Sequence, residues 1–273
     1  MIRPAKGPEE RKYLQGSRWS RCAARHPLQK ENNYPSPLME TAGVSLRERP
    51  MRRQGEPFLA WPGWALLAQA VLLALPVTLW WAFVYHGANW LTGLRSYRVR
   101  VHLDAELAMP FIPPFILAYL SLDLVFVPAP FILRSRRELQ ALALSLASAT
   151  AVAGVGFLLL PAELAYPYSD PGAWSGLFAF ARKMALPYNL VPSLHVALSC
   201  ICLAAYATRC GLTGKALLGV WASTIVLSTL LTHQHHLLDV GAGLALAVAG
   251  KRFIYDRFIK GFDPLNGGSE IPG

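Results

Sequence analysis

Residues 62–85 read PGWALLAQAVLLALPVTLWWAFVY, with no charged side chain among them. At ~1.5 Å rise per residue, such a run crosses the roughly 30 Å hydrocarbon core of a bilayer. Comparable apolar runs follow at about 111–133, 139–160, 193–208, 214–232 and 236–254. The last three are short, so they fit a membrane only if tilted or if their ends lie in a polar cleft. Pro76 is expected to kink the first run. The chain of 273 residues is 53% hydrophobic and 15% charged, with a mean hydropathy of +0.32. That composition excludes an ordinary soluble domain of this length. The expected fold class is all-α: a polytopic membrane helical bundle of about six transmembrane helices, filling residues 56–256.

Charge sets the expected orientation. The net charge is +10, and much of the surplus lies in residues 1–55. That segment is polar, rich in Pro, Arg and Gly, and lacks helical periodicity, so it reads as a disordered basic cytoplasmic tail. No apolar h-region follows its first basic residues, and no cleavable signal is expected. Arg134, Arg136 and Arg137 separate the second and third runs, and Arg209 and Lys215 the fourth and fifth. Lys251, Arg252, Arg257 and Lys260 follow the sixth, leading into a short C-terminal tail, 257–273. All fall on one side, which the positive-inside rule makes the cytoplasm. Loops 86–110 and 161–192 and the turn 232–236 fall outside. Arg95, Arg98, Arg100, Arg182 and Lys183 lie there too, partly balanced by Asp104, Glu106, Glu163 and Asp170. No aromatic-studded basic surface, P-loop or GxGxxG fingerprint is present, so nucleic acid is not an expected partner. Cys22, Cys200, Cys202 and Cys210 include no CxxC pair and read as small core residues.

In this topology His86, His102, His195, His233, His235 and His236 all fall at the outer surface. Four of them occupy two segments, Pro192-Ser193-Leu194-His195 and His233-Gln234-His235-His236-Leu237-Leu238-Asp239. His235 and Asp239 are four apart and share one face of the helix that opens the sixth run. A carboxylate there accepts a hydrogen bond from one ring nitrogen and leaves the other unprotonated, aimed outward as a nucleophile. Its charge also stabilises the cationic phospho-imidazole formed by attack on phosphorus. Pro192 and Ser193 suit a helix start. The free N–H groups and the positive helix end would then face the outer surface and suit a phosphate. His195, one turn in, is placed to give a proton to a leaving oxygen. Both helices begin at the same surface, so the two segments are expected to converge.

Pro-Ser-Leu-His followed by Gln-His-His-Leu-Leu-Asp resembles the type-2 phosphatidic acid phosphatase superfamily. It looks most like the branch containing inositol phosphorylceramide synthases and the membrane portion of bacterial proteins fused to dual-specificity phosphatases. The similarity extends over about residues 80–250. It takes in Pro110-Phe111-Ile112-Pro113, Tyr119-Leu120-Ser121-Leu122-Asp123 and Arg136-Arg137-Glu138-Leu139. The resemblance implies that His235 is the nucleophile, Asp239 its orienter, His195 the general acid and Ser193 a phosphate contact, with no metal or organic cofactor. It implies a membrane lipid phosphatase working through a phospho-histidine on a phosphatidic acid or isoprenoid diphosphate type of substrate. A lipid phosphotransferase of the inositol phosphorylceramide synthase type is one alternative, and a catalytically impaired lipid-binding or transport member the other. The partners would be a lipid phosphate and the bilayer. The setting would be a bacterial inner membrane with the active site on the extracytoplasmic side.

Two departures from the family pattern stand out. Its cationic first motif, KxxxxxxRP, would fall where this chain reads Pro161-Ala162-Glu163-Leu164-Ala165-Tyr166-Pro167. The Ser-Arg ahead of its nucleophilic histidine is here Ser228-Thr229. Arg182 and Lys183 are therefore the candidates for binding phosphate. His233, His236 and Asn189 are candidates for substrate contact, with packing the competing role for the two histidines. Histidines 195, 233, 235 and 236 also offer zinc ligands on paper, but zinc needs three or four with outer support, and no metal is expected. Asp123 reads as a buried structural carboxylate bonded to Ser or Thr of a neighbouring span. Trp80, Trp81, Tyr85 and Trp90 read as an interfacial belt.

Overall fold

The computed structural model describes residues 57–261. The expected disordered tail, its Cys22 and the final residues from 262 onward lie outside the described residues. Among the described residues all regular structure is helical. Helix α1, Trp64–Gly93, carries the 62–85 run and continues beyond it, with Pro76 inside. Its side chains at Val71, Leu72, Leu75, Leu79 and Phe83 point outward and are mostly exposed. In water such a surface would be costly, but it is the ordinary face of a lipid-contacting helix.

The second expected span is not one helix. It is a chain of short pieces: a 3₁₀ turn at Pro113–Phe115, then α2 (Ile116–Leu120), α3 (Leu122–Phe126) and α4 (Ala129–Ile132). Pro113 and Pro114 open the 3₁₀ turn, and Pro128 and Pro130 remove N–H donors at the break between α3 and α4, whereas the break at Ser121 has no proline beside it. Backbone groups at a break need partners from elsewhere. The Tyr206 hydroxyl donates to the Val125 carbonyl at 2.8 Å, and Trp221 Nε1 donates to Ser121 Oγ at 3.0 Å. The irregular stretch is therefore held by two neighbouring helices.

Helix α5, Arg136–Leu159, starts at a Ser135 N-cap. Ser135 Oγ accepts the Glu138 N–H at 3.1 Å, and Glu138 Oε2 accepts the Arg134 N–H at 3.1 Å. Glu138 also takes both arms of Arg209, at 2.9 and 2.5 Å. Arg137 donates to the carbonyls of Phe258 and Ile259 at 2.5 and 2.8 Å. The basic cluster at 134–137 and 209 thus ties three chain segments together at one end of the bundle.

After α5 the chain enters the loop 161–192, which is not entirely irregular. It holds α6, Ser175–Met184, an amphipathic helix with Phe178 and Ala181 buried. Helix α7 is Leu194–Ala207, α8 is Leu212–Leu231 and α9 is Leu237–Ala249. Helix α9 runs on through a π-helical turn, Gly250–Tyr255, into α10, Asp256–Lys260. Residues 257–260, assigned to the C-terminal tail from sequence, therefore extend this last helix. Three helices, α1, α5 and α8, are each long and apolar enough to cross a membrane, and shorter apolar helices accompany them. The chain is a helical membrane protein.

Two expectations about polar and aromatic residues need correction. Asp123 is exposed, with no hydrogen-bond or ion-pair partner among the described residues, instead of buried against Ser or Thr. The irregular span points it into a cavity where no hydroxyl of a neighbouring helix reaches it. The aromatic belt is also divided. Trp90 is exposed, whereas Trp81 stacks on a buried Tyr85 at 5.2 Å, facing inward.

Candidate active site

The site forms where the entrances of α7 and α9 meet. Ser193 caps α7 through Val196 N–H (3.4 Å), and its own N–H donates to the Asp239 carbonyl at 2.9 Å. One backbone bond thus fastens the Pro-Ser-Leu-His segment to the turn carrying Asp239. Two glycines permit the approach. A Cβ on Gly243 of α9 would lie 2.7 Å from the Ser193 carbonyl, and one on Gly156 of α5 would lie 2.7 Å from Pro192 Cδ. Both distances are shorter than a packed Cβ tolerates.

The rings converge. Those of His195 and His235 have centroids 5.8 Å apart at an interplanar angle of 58°. His235 Nδ1 lies 3.3 Å from Asp239 Oδ2. Asp239 Oδ2 also accepts the His236 N–H at 2.9 Å, holding the carboxylate at the mouth of α9. Asp239 and Ser193 are fully buried, and His235 is 5% exposed. The Thr229 carbonyl accepts the N–H groups of Gln234 (2.9 Å) and His235 (3.0 Å), so the Ser228-Thr229 segment sets the turn through its backbone. With Nδ1 turned to Asp239, Nε2 is the nitrogen left for an incoming phosphorus.

A second imidazole–carboxylate pair lies beside the first. His236 Nδ1 is 3.2 Å from Glu106 Oε2, and His236 Nε2 accepts the Ala165 N–H at 3.2 Å. Glu106 Oε2 also accepts the Leu237 N–H (2.9 Å), and its Oε1 accepts the Leu103 N–H (3.1 Å). His236 is fully buried with both ring nitrogens occupied. It is thus a positioning residue at the start of α9, which corrects its candidacy for substrate contact. Burial pushes its pKa down, against the upward pull of the Asp239 and Glu106 carboxylates. From its place in the chain Glu106 reads only as surface charge balance. No spacing signal ties it to His236, 130 residues away.

Tyr166 completes this wall. Its ring stacks on His233 at 4.1 Å and on His236 at 4.6 Å, and its hydroxyl donates to the His235 carbonyl at 3.4 Å. Burial and the two carboxylates push its pKa up to about 12, so it remains a donor. His233 has φ +55°, a left-handed conformation rare for a side chain of this size, and its Nε2 meets the Met109 carbonyl at 3.1 Å. Its Nδ1 is buried without a partner.

A polar pocket of about 440 Å³ opens in front of His235. His233, Gln234, Asn189, Tyr166 and Arg182 also line it. Asn189 donates to the Tyr85 carbonyl at 2.7 Å and leaves Oδ1 buried without a partner. Arg182 on α6 is the cation of this pocket, while Lys183, its neighbour, is exposed and does not line it. The two phosphate-binding candidates therefore part company, because adjacent residues on a helix point about 100° apart. His195 faces the other way, into an apolar cavity of about 630 Å³. Its ring stacks on Tyr119 at 4.4 Å. Among the described residues no group of three or more His, Cys, Asp or Glu side chains is arranged to hold a metal ion.

A family model described as the PAP2 superfamily matches residues 96–253. The chain belongs to the PAP2 superfamily. The matched stretch runs from the loop before Glu106 through α9 and contains every residue of the two imidazole–carboxylate pairs. Members of this superfamily are phosphatases or related phosphotransferases, so the general activity is chemistry on phosphate esters. No curated protein and no solved structure matches the chain.

Proposed function

We propose that this protein is a membrane lipid phosphatase acting through a phospho-histidine, with its site on the extracytoplasmic side of a bacterial inner membrane. His235 Nε2 attacks phosphorus, and the bond from phosphorus to the lipid oxygen breaks. His195 supplies the proton that this leaving oxygen needs. Asp239 keeps His235 in the attacking tautomer and stabilises the phospho-imidazolium. Water then attacks the phosphorus while His195 takes its proton. Phosphate leaves, and both histidines return to their starting states. Arg182 binds phosphate oxygens in place of the missing cationic motif, with the Ser193 hydroxyl as a second donor. His233 and Asn189 line the remaining approach. The observation that carries the reading is the 5.8 Å separation of the His195 and His235 rings with Asp239 behind the second. One phosphorus can touch both.

A second reading replaces water by a lipid alcohol, making the protein a phosphotransferase. The side of His195 favours it, because this ring faces an apolar cavity and a tailed acceptor can reach it there. Purified protein given radiolabelled phosphatidic acid and isoprenoid diphosphates, with and without lipid alcohols, separates the two. Free phosphate supports the phosphatase and a new phospholipid the transferase. Activity in the His235→Ala protein equal to that of the parent overturns both.

A further inference from the structure

The apolar cavity behind His195 is not used by the hydrolytic reaction above. It is about 630 Å³, within the roughly 300–1,000 Å³ of sites that enclose a small organic molecule. Its walls are Val77 and Trp81 of α1, Leu122 of α3, Leu142 and Leu146 of α5, and Leu194 of α7. Two features set it apart from an ordinary packing gap. His195 stands in its wall, so its outer end reaches the reacting centre. Asp123 also lines it, with no partner among the described residues. A carboxylate at membrane depth is expensive, and unpaired ones are kept where something binds them. Tyr119, whose ring stacks on His195, precedes Asp123 by four residues. The two lie on either side of the break at Ser121, and Asp123 and His195 line the same cavity.

We propose that this cavity binds the hydrocarbon chain of the lipid whose phosphate is transferred, and that Asp123 receives a hydroxyl or ammonium donor carried on that lipid a few bonds from its phosphorus. The proposal rests on the phosphoryl-transfer reading and deepens it. The headgroup side lies in the polar pocket with His235 and Arg182. The phosphorus lies between the two imidazoles, and the chain runs inward past Asp123. Tyr85 lines both compartments and marks the boundary between them. Val71 and Val127, both largely exposed, lie at the rim, where a chain can enter from the bilayer. A plain alkyl chain would leave the carboxylate unpaired, and a chain with a donor near its head would not.

The test is a KM series on full-length protein in lipid nanodiscs. The substrates are alkyl phosphates of increasing length, each made plain, with a 3-hydroxyl group and with a 2-amino group. KM should fall by up to about fourfold per added methylene until the cavity is full. Donor-bearing substrates should have a KM at least tenfold below the plain ones. In Asp123→Leu both preferences should vanish. In Asp123→Asn the amino preference should vanish and the hydroxyl preference survive, and this pair of variants tells the two donors apart. In Ala143→Trp, which fills the cavity, the chain-length dependence should stop early. A KM flat in chain length, or a donor preference unchanged in Asp123→Leu, overturns the proposal. Should no phosphate turn over, the phosphoryl-transfer reading itself fails. The cavity is then read by photolabelling the His235→Ala protein with a diazirine-bearing alkyl phosphate. Label on the peptides of Trp81 and Leu146 supports it. Label elsewhere, or label displaced equally by phosphatidylcholine, overturns it.

Discussion

Asp239 makes three connections in the first turn of α9: to the His235 ring, to the His236 N–H and, through its carbonyl, to the Ser193 N–H. Replacing it by Asn keeps the shape but removes the charge that favours phospho-imidazolium. In Asp239→Asn, kcat for a lipid phosphate should fall by roughly 10²-fold or more while KM moves little. His195→Ala should cost about 10²- to 10⁴-fold in kcat with an alkyl leaving group. With an aryl phosphate, whose oxygen leaves without a proton, it should cost far less, and steady-state kinetics on the two esters read the difference. Glu106 is a matter of stability. In Glu106→Ala two backbone N–H groups and one ring nitrogen lose their partner. Each buried polar group left unmet costs about 1–3 kcal/mol, so the melting temperature should drop clearly. Stability should also depend on pH through His236. Its folded pKa lies below the unfolded value near 6.5, so protonation favours the unfolded chain. The stabilisation is complete above about pH 6.5 and is lost as pH falls below it. Thermal melts in detergent from pH 8 to pH 5 should show the decline, and His236→Asn should make it shallower.

At the scale of elements, the catalytic geometry is a packing result. Gly243 and Gly156 let α9 and α5 close on the Pro-Ser-Leu-His segment. Gly243→Ala should push α9 outward and cut kcat at least tenfold, while the protein still inserts and binds lipid. Activity at the parental level would show that the close approach is not needed. The motif part of the site was legible because it is local. His235 and Asp239 are four apart on one helix, and Ser193 caps its own helix. The supporting part was not legible, because it is long-range. Glu106 meets His236, and Tyr166 sits between His233 and His236, through a loop whose path no periodicity encodes. The second span was legible as apolar but not as broken. Its prolines at 113, 114, 128 and 130 were there to be weighed against its hydropathy. The loop 161–192 likewise hid α6, whose short amphipathic pattern places Arg182 at the pocket.

At the scale of the whole molecule, apolar runs and cation placement gave the fold class and an orientation. The described residues form a helical membrane protein whose cations at 134, 137 and 209 also serve as end-of-bundle ties. With native cysteines replaced by serine, Ser169→Cys in the outer loop should react with an impermeant maleimide on intact cells. Thr213→Cys at the other end of α8 should react only after permeabilisation. The opposite pattern would put the site in the cytoplasm.

The central claim is that a phosphorus atom is handed to His235 while His195 attends the leaving oxygen. The most direct measurement is rapid quench of purified protein with lipid bearing a ³²P-labelled phosphate, followed by alkaline digestion and mapping of the acid-labile label. The account predicts phospho-histidine at position 235, retained for longer in His195→Ala and absent in His235→Asn. Label on another residue, or full turnover by the His235→Asn protein, would contradict it.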